Sequence, residues 1–340
     1  MLLLSVARAQ DVLDDPAVRA YFQLRQFTGQ EFDTDGDGNI WKIHLRRKSV
    51  YPSDIKILER LADFSHLYLD GSDAGDEVLE ALSKADLPNL TNLGLEGCPV
   101  TDAGMTHLGK VKQIKHLDLA GTLITDRGLR HLKDSRNLLT LDLTRRADTS
   151  FSLEFTDDGV KKTPNFPDRE KVNTQITGAG LKHLSGLTRL YALYLDGAKI
   201  DDDDLQHLAR LDQIESLDLS RTSITDAGLV HLKHMKKMDY LRLDETRITD
   251  DGLKHLEHMI HMDWISLEGT RITNDGLKHL KNFRKMKNLT LANTKVTNEG
   301  LQHIAHLSSL QTIFATDTAL NESGVEYFRK KSNYVTIWKE

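Results

Sequence analysis

The sequence predicts an α/β solenoid, in which short strands and short helices alternate along one continuous hydrophobic core. One observation is the recurring pattern LxxLxxLxLxxTxITDxGLxHL, seen for example in residues 211–232 and 235–256. Another is its spacing, because the first apolar residue of LxL returns every 24 residues, apart from one step of 26 and one of 52. A fixed period in the range of about 20–50 residues indicates stacked structural repeats. The composition, with 39% hydrophobic and 28% charged residues over 340 positions, is typical of a folded protein.

Each unit is centred on that first apolar residue of LxL, which we call the anchor. Side chains alternate between the two faces of a strand, so the anchor and the second leucine point inward together. No unit can bury its apolar side chains alone, and neighbouring units must therefore stack into one core. The anchors define eleven units and a closing strand; they are Ile43, Leu67, Leu93, Leu117, Leu141, Leu193, Leu217, Leu241, Ile265, Leu289, Ile313 and Ile337.

A short helix is predicted after each strand, from the segment ITDxGLxHL. The isoleucine enters the core, and the threonine that follows it is a favourable helix N-cap, as at Thr225 and Thr249. The aspartate next to that threonine suits the positive end of the helix dipole. The two leucines of GLxHL then face inward, which completes the apolar side of the unit.

This pattern resembles the leucine-rich repeat family along the chain from about Ile40 to its end. Within that family it looks closest to the cysteine-containing type of F-box-associated proteins and to similar bacterial repeats. The segment GCPVTDAGM at 97–105 carries the Gly-Cys of that subtype, and threonine takes the cysteine position in other units. The resemblance implies a right-handed horseshoe-shaped solenoid with a concave parallel β-sheet and short convex helices. Cys98 is then a structural residue of the repeat.

The chain is predicted to consist of an N-terminal segment, 1–39, and a solenoid, 40–340. Residues 11–29 read as one helix that caps the solenoid, with Pro16 in its first turn and Gly29 at its end. Residues 7–9, Ala-Arg-Ala, fit either the remnant of a signal peptide or an ordinary N-terminus. Export to the periplasm or exterior and a cytoplasmic location therefore both stay open.

The step of 52 residues contains an insertion at about 145–172 that does not match the repeat. Residues 151–155 alternate like a strand, and Asp158-Gly159 is a turn signal. The insertion should leave the solenoid at the rim of the concave face. Its aromatic residues Phe151, Phe155 and Phe166 either contact a ligand there or fold against the scaffold.

A segment before the first repeat resembles the start of an EF-hand calcium loop. Asp33, Asp35, Asp37 and Asn39 supply oxygen ligands, which suit a hard cation such as Ca²⁺. The twelfth position of such a loop is His44 here, where a bidentate glutamate would be needed. The segment is therefore either a weak calcium site at 33–39 or a solvated Asp/Gly turn. No other cofactor is required by the sequence.

The concave face is the predicted binding surface. Its outward positions carry nine acidic residues but only three Lys or Arg residues, although the whole chain has 51 and 45. Adjacent acidic side chains repel each other, so a partner with a basic surface would relieve them. The alternative is a polar face that only meets water. The predicted binding residues are Asp118, Asp142, Tyr194, Asp196, Asp218, Tyr240, Arg242, Asp244, Trp264 and Glu268.

Several other classes of function are disfavoured. The net charge of −6 argues against nucleic-acid binding, and no apolar run is long enough for a membrane helix. The recurrent histidine of GLxHL suggests a metal ladder, but helices pack too far apart for their histidines to share an ion. Carboxylates on an open sheet lack the enclosed pocket of a catalytic pair.

We therefore predict a non-enzymatic protein-interaction module that binds a protein or peptide. Two alternatives stay open. One is the substrate-recognition adaptor of a ubiquitin-ligase-like complex, which the subtype resemblance implies and the missing F-box disfavours. The other is an exported scaffold that binds a glycan.

Overall fold

The computed structural model describes residues 31–36, 39–61, 63–145, 151–156, 159–164, 174–331 and 335–339. The predicted capping helix at 11–29 lies outside these residues. The chain divides into two compact units. The first is Met1–Asp142 with Arg146–Gln175, and the second is Leu143–Arg145 with Ile176–Glu340.

The first unit starts with an antiparallel pair of strands and continues with parallel strands, each hydrogen-bonded to the next. Its sheet consists of β1 (Phe32–Thr34), β2 (Ile40–His44), β3 (His66–Tyr68), β4 (Asn92–Gly94), β5 (His116–Asp118) and β6 (Thr140–Asp142). Its helices are α1 (Pro52–Leu58), α2 (Asp76–Lys84), α3 (Asp102–Leu108) and α4 (Asp126–Leu129), with 3-10 turns at Glu59–Leu61 and Arg130–Leu132.

The insertion contains a β-hairpin of β7 (Phe151–Thr156) and β8 (Gly159–Pro164). The strands are antiparallel, with Phe155 opposite Val160 and Phe151 opposite Pro164. The predicted strand at 151–155 is therefore confirmed. The residues that connect the two strands lie outside the described residues.

The second unit has a fully parallel sheet. Its strands are β9 (Ala192–Tyr194), β10 (Ser216–Asp218), β11 (Tyr240–Arg242), β12 (Trp264–Ser266), β13 (Asn288–Thr290), β14 (Thr312–Phe314) and β15 (Thr336–Trp338). Its α-helices are α5 (Gly178–Leu181), α6 (Asp226–Leu229), α7 (Asp250–Leu253), α8 (Asn298–Ile304) and α9 (Glu322–Lys331). Its 3-10 segments are Asp203–Leu208, Val230–Leu232, Lys254–Leu256 and Gly276–Asn282.

The anchors confirm the predicted α/β solenoid repeat in both units. Every anchor lies on a strand and is buried, and each pairs in register with the anchor of the next strand in its unit. In the second unit, for example, Leu217 lies between Leu193 and Leu241. The isoleucine of ITD is buried as expected, as at Ile224 and Ile248. The core of each unit is therefore a stack of equivalent apolar side chains.

Ten of the strands that carry an anchor are followed by a turn residue in the left-handed backbone conformation. This residue stands four positions after the anchor, and its N–H can donate to the next repeat, as from Glu245 N to Glu268 O (2.7 Å). Glycine is favoured there because a side chain clashes with the backbone at positive φ. The residues with φ between 51° and 72° are Arg47, Gly71, Gly97, Gly121, Gly197, Arg221, Glu245, Gly269, Asn293 and Asp317.

The helices are tied together by a second repeating contact. Each N-cap threonine accepts a hydrogen bond from its own helix, for example Thr249 Oγ1 from Asp251 N (3.3 Å), which confirms the predicted caps. The aspartate of the preceding repeat also accepts two bonds from that threonine. Thr249 N donates to Asp226 Oδ1 (2.8 Å), and Thr249 Oγ1 donates to Asp226 Oδ2 (2.6 Å). Equivalent pairs are Asp76 with Thr101, Asp102 with Thr125, Asp202 with Thr225, and Asp250 with Thr273.

This contact explains the glycine of ITDxGL. A Cβ atom on Gly252 would lie 2.3 Å from Asp226 Oδ1, and one on Gly276 would lie 2.3 Å from Asp250 Oδ1. Any larger residue would push the bridging carboxylate away from its threonine. The aspartate, the threonine and the glycine of the repeat thus form one structural unit across neighbouring repeats.

We expect Glu245→Gly to raise the free energy of unfolding by about 0.5 kcal/mol, because it removes a side chain from a left-handed position at a modest entropic cost. Gly269→Ala, at the equivalent position of the next repeat, should lower it by about 1 kcal/mol. Urea denaturation of both variants measures these changes. A less stable Glu245→Gly variant would contradict the argument from strain.

We expect Asp226→Ala to lower the free energy of unfolding by about 1–2 kcal/mol, because both donors of Thr249 lose their acceptor. Asp226→Asn should cost much less. Asn274 already holds this position in another repeat, where its Oδ1 accepts from Thr297 N (2.8 Å) and its Nδ2 donates to Thr297 Oγ1 (2.9 Å). Thermal unfolding of both variants tests the contact, and an equal loss in the two would contradict it.

Candidate binding face

The predicted binding residues lie on or just after the strands, on the side of each sheet opposite the anchors. We call this side the outer face of a unit. In the first unit it carries Asp118 and Asp142. In the second unit it carries Tyr194, Asp196, Asp218, Tyr240, Arg242, Asp244, Trp264 and Glu268.

The first unit holds two buried carboxylates side by side. Asp118 and Asp142 pair in register on β5 and β6 and are only 7% and 3% exposed. Asp118 Oδ1 accepts a hydrogen bond from Ala120 N (2.9 Å). Burial raises the pKa of Asp118 well above its usual value, and the carboxylates of Asp142 and Asp70 add to the effect. Water therefore screens the repulsion between these two carboxylates only weakly, unlike on the solvated polar face that was the alternative prediction.

An arginine pairs with another acidic residue of this face, Asp70. Arg46 Nε donates to Asp70 Oδ2 (2.9 Å), and the Arg46 guanidinium lies 4.9 Å from the centroid of the Tyr68 ring. A guanidinium over an aromatic face gains a cation–π attraction in addition to its ion pair. Asp70 is thus compensated within the protein itself.

In the second unit, Arg242 bridges two of the predicted acids. Its Nη1 donates to Asp218 Oδ2 (2.9 Å), and its Nη2 donates to Asp244 Oδ2 (2.7 Å). The other oxygen of Asp244 accepts from Ser266 Oγ (2.5 Å) and Glu268 N (3.0 Å). Both carboxylates are buried, at 2% and 6% exposure. Arg242 therefore sits between acidic neighbours that would otherwise repel each other.

Arg221 neutralises a third acid and was missed by the sequence analysis. Its Nε and Nη2 donate to the two oxygens of Asp196 at 2.7 and 2.6 Å, a bidentate pair. Arg221 occupies the turn after β10, one position beyond the last outward position of the strand segment that the sequence pattern defines. The position can be read from the sequence, because it returns four residues after each anchor and holds glycine in five repeats but arginine here.

Burial still affects the protonation of this network. It raises the pKa of Asp218 to about 6, although Arg242 acts in the opposite direction. Burial lowers the pKa of the Arg242 guanidinium, but the carboxylates of Asp218 and Asp244 outweigh it, so the pKa is raised overall. Arg242 is therefore permanently charged, and Asp218 is the group of this pair that titrates.

Aromatic side chains also lie on the outer face of the second unit. The rings of Tyr240 and Trp264 pack edge to face, with centroids 5.0 Å apart and planes at 81°. Trp264 Nε1 donates to Thr290 Oγ1 (3.3 Å). Further along, Phe314 and Trp338 pair in register and are 37% and 55% exposed. These last two were absent from the predicted site, and exposure makes them better contact residues than the buried acids.

The predicted site thus separates into buried and accessible members. Tyr194 is 2% exposed, and its hydroxyl accepts from Ser216 Oγ (3.1 Å). Asp196, Asp218 and Asp244 are also buried. Glu268 is exposed, and its pKa is raised by partial burial and by Asp244. Among the predicted acids of the second unit, Glu268 is the one that a partner could reach without breaking an ion pair.

The other predicted sites are placed only in part. Phe151 and Phe155 lie on β7, and Phe166 lies outside the described residues. In the calcium-like segment, Asp33 Oδ2 is 3.0 Å from His44 Nε2, and Asp35 Oδ1 accepts from Asn39 N (2.9 Å). These carboxylates have partners within the β1–β2 hairpin. Asp37 lies outside the described residues, and calcium binding stays a prediction.

Neither metal binding nor thiol chemistry is supported in the part of the chain that the structure describes. No three His, Cys, Asp or Glu side chains gather there closely enough to hold a metal ion. Cys98 is buried, its Sγ donates to Leu69 O (3.1 Å), and burial raises its thiol pKa to about 12. It is therefore an unreactive core residue. No helix among the described residues is long and apolar enough to cross a membrane.

The second unit also has an open cleft of about 590 Å³ beside the starts of its strands. Three carboxylates and three lysines line it: Glu215, Asp239, Asp263, Lys237, Lys285 and Lys287. Asp239 stands between the other two acids in the repeat order. Partial burial raises the pKa of Asp239 to about 6, and the carboxylates of Glu215 and Asp263 contribute.

We expect Asp239→Asn to stabilise the protein by about 1 kcal/mol at pH 8, after discounting for solvent screening of this half-exposed group. The folded-state pKa, about 6, lies above the usual 3.8, so ionisation costs stability as the pH rises through that window. Below pH 3.8 the gain should vanish, because Asp239 is then protonated in both states. Urea denaturation at pH 3.5 and pH 8 measures this, with the exposed Asp212→Asn as control. An equal gain at both pH values would contradict it.

Sequence comparison identifies one unit of the repeat. Residues 214–232 match the family model for the Leucine Rich repeat. A comparison with curated proteins gave no significant match. The match covers one repeat and does not distinguish subtypes of the family. The similarity to F-box-associated repeats therefore stays a prediction.

Two solved structures extend the comparison to the fold. An internalin from Listeria monocytogenes is similar with a TM-score of 0.51, 18% sequence identity and 96% coverage of each chain. The ectodomain of the Arabidopsis receptor kinase HAESA, solved in complex with a peptide hormone ligand, has a TM-score of 0.58 and 13% identity. That match covers 99% of this chain and 53% of the receptor chain, so this chain spans about half of that ectodomain.

The matched unit recurs, with the same strand, left-handed turn and helix, along both compact units. Both similar structures share the solenoid fold. The chain therefore has the fold of leucine-rich repeat solenoids, and one of its repeats matches the family model.

Proposed function

We propose that this chain is a non-enzymatic protein-interaction module whose partner binds the outer face of the second unit. The observation that carries the proposal is the exposure of aromatic side chains there. Phe314 and Trp338 are 37% and 55% exposed, and Trp264 is half-buried beside Tyr240. Aromatic rings at the surface supply large contact area at little conformational cost and are enriched in binding hot spots.

The charges of this face favour a partner segment with few basic groups. Asp196, Asp218 and Asp244 already pair with Arg221 and Arg242. A basic partner would have to displace those buried arginines, which costs more than a surface contact returns. Glu268 is the exposed exception, so one Lys or Arg beside apolar side chains fits the face best. The receptor ectodomain of the same fold was solved with a peptide ligand, which supports a peptide or protein partner here.

We expect peptides selected from a random display library on the intact chain to contain apolar side chains and one Lys or Arg. Trp264→Ala and Phe314→Ala should each weaken their binding about tenfold or more. Glu268→Gln should weaken it several-fold and reduce its salt dependence. Val230→Ala, an exposed apolar residue on the helical side, is the matched control.

Selected peptides that bind all three outer-face variants like the wild type would refute the outer-face assignment. A thermal melt of each variant shows whether it is still folded. The adaptor and glycan alternatives stay predictions from the sequence. A glycan array that gives binding where the peptide library gives none would favour the glycan scaffold instead.

A further inference from the structure

Three consecutive loops of the second unit together carry a positive charge, although the middle one has two acids and no Lys or Arg. They lead from the helical segment of a repeat to its next strand, at residues 233–239, 257–263 and 281–287. The chain has a net charge of −6. The loops nevertheless hold seven cations against three acids. The cations are Lys233, Lys236, Lys237, Lys281, Arg284, Lys285 and Lys287, and the acids are Asp239, Glu257 and Asp263.

Some of these cations already have partners. Lys237 Nζ donates to Gln213 Oε1 (2.6 Å), Lys285 Nζ lies 3.1 Å from His261 Nδ1, and Lys287 Nζ lies 3.1 Å from Asp263 Oδ1. The remaining four are exposed, and no carboxylate pairs with them among the described residues. These are Lys233, Lys236, Lys281 and Arg284.

The acids of the loops are already engaged or lie apart from these four cations. Glu257 Oε1 is 2.6 Å from His279 Nδ1, and Asp263 pairs with Lys287. Asp239 lines the cleft beside the strands. By the 24-residue period Glu257 lies between Lys233 and Lys281, whereas no acid stands between Lys236 and Arg284.

An exposed isoleucine lies among these cations. Ile260 is 55% exposed, whereas its neighbours Met259 and Met262 are fully buried. Lys236, Ile260 and Arg284 hold the same position in three successive repeats, because each is 24 residues from the next. The period therefore places the isoleucine between a lysine and an arginine at the equivalent positions of the two neighbouring repeats. An exposed aliphatic side chain ringed by charged groups is typical of a small contact site.

We propose that Lys233, Lys236, Ile260, Lys281 and Arg284, the basic loop surface, bind an acidic segment of a partner protein. Its carboxylates would pair with the four cations, and an apolar side chain would cover Ile260. Charge complementarity of this kind speeds encounter and selects the partner. This surface is separate from the outer face and does not depend on the function proposed there.

The carboxylates near the basic loop surface favour a protein segment over an anionic membrane. Separate acidic side chains can lie over the free cations and leave Asp239 and Asp263 uncovered. A continuous layer of anionic headgroups would press against those carboxylates as well, and they would repel it.

The test uses a fluorescein-labelled synthetic peptide with glutamates on both sides of a central leucine. A matched peptide has glutamine in place of each glutamate. Fluorescence anisotropy with the full chain at low salt should show binding of the glutamate peptide and not of the glutamine peptide. The double variant Lys236→Gln with Arg284→Gln should weaken binding about tenfold. Ile260→Ser should weaken it several-fold.

The control is the double variant Arg247→Gln with Arg271→Gln, which removes the same charge from exposed arginines of the turns elsewhere in this unit. It should bind the glutamate peptide like the wild type. Equal binding of the two peptides, or an equal loss in the two double variants, would overturn the proposal. Binding to phosphatidylserine vesicles but not to the peptide would overturn it in favour of a membrane. All substitutions are at exposed positions, and circular dichroism shows whether each variant is folded.

Discussion

The stacking of equivalent residues in one register is the constraint on which the rest of each unit depends. Backbone hydrogen bonds between parallel strands align every anchor with the next, so each side chain has its own counterpart about 4.8 Å away. Apolar counterparts such as Leu217 and Leu241 form a core simply by stacking. Polar counterparts must instead be complementary to each other, because a donor beside a donor or an acid beside an acid is costly.

The helical side meets this requirement with two residue types that belong to the repeat pattern. Threonine donates and aspartate accepts, so the bond between Asp226 and Thr249 can be copied from repeat to repeat without change. The outer face cannot use the same solution, because a row of acids has no donor of its own. The second unit inserts Arg221 and Arg242 into the row, and these arginines turn repelling carboxylates into buried ion pairs. In the first unit, Asp118 and Asp142 remain adjacent, and the raised pKa of Asp118 expresses the cost.

The repeats differ at positions that do not need a complementary counterpart in the next repeat. The two proposed binding surfaces lie at such positions. The aromatic residues Trp264, Phe314 and Trp338 interrupt the polar pattern of the outer face. The basic loop surface interrupts the pattern of the loops, with Ile260 in place of a polar residue. Both surfaces lie in the second unit, but they differ in chemistry. One offers aromatic area with little free charge, and the other offers free cations around a single aliphatic side chain.

The sequence by itself determined the repeat, its anchors, the strand and helix of each unit, and the N-cap threonines, because these follow from periodicity and local preferences. It also identified the outward residues, including Asp218, Tyr240 and Trp264. Only the tertiary structure decided which of those residues are accessible. Burial and ion pairing depend on side chains one repeat away, as with Arg221 and Asp196, and a pattern within one repeat does not contain that information. The role of glycine in ITDxGL also depends on the tertiary structure, because the carboxylate that leaves no room for a Cβ atom comes from the preceding repeat.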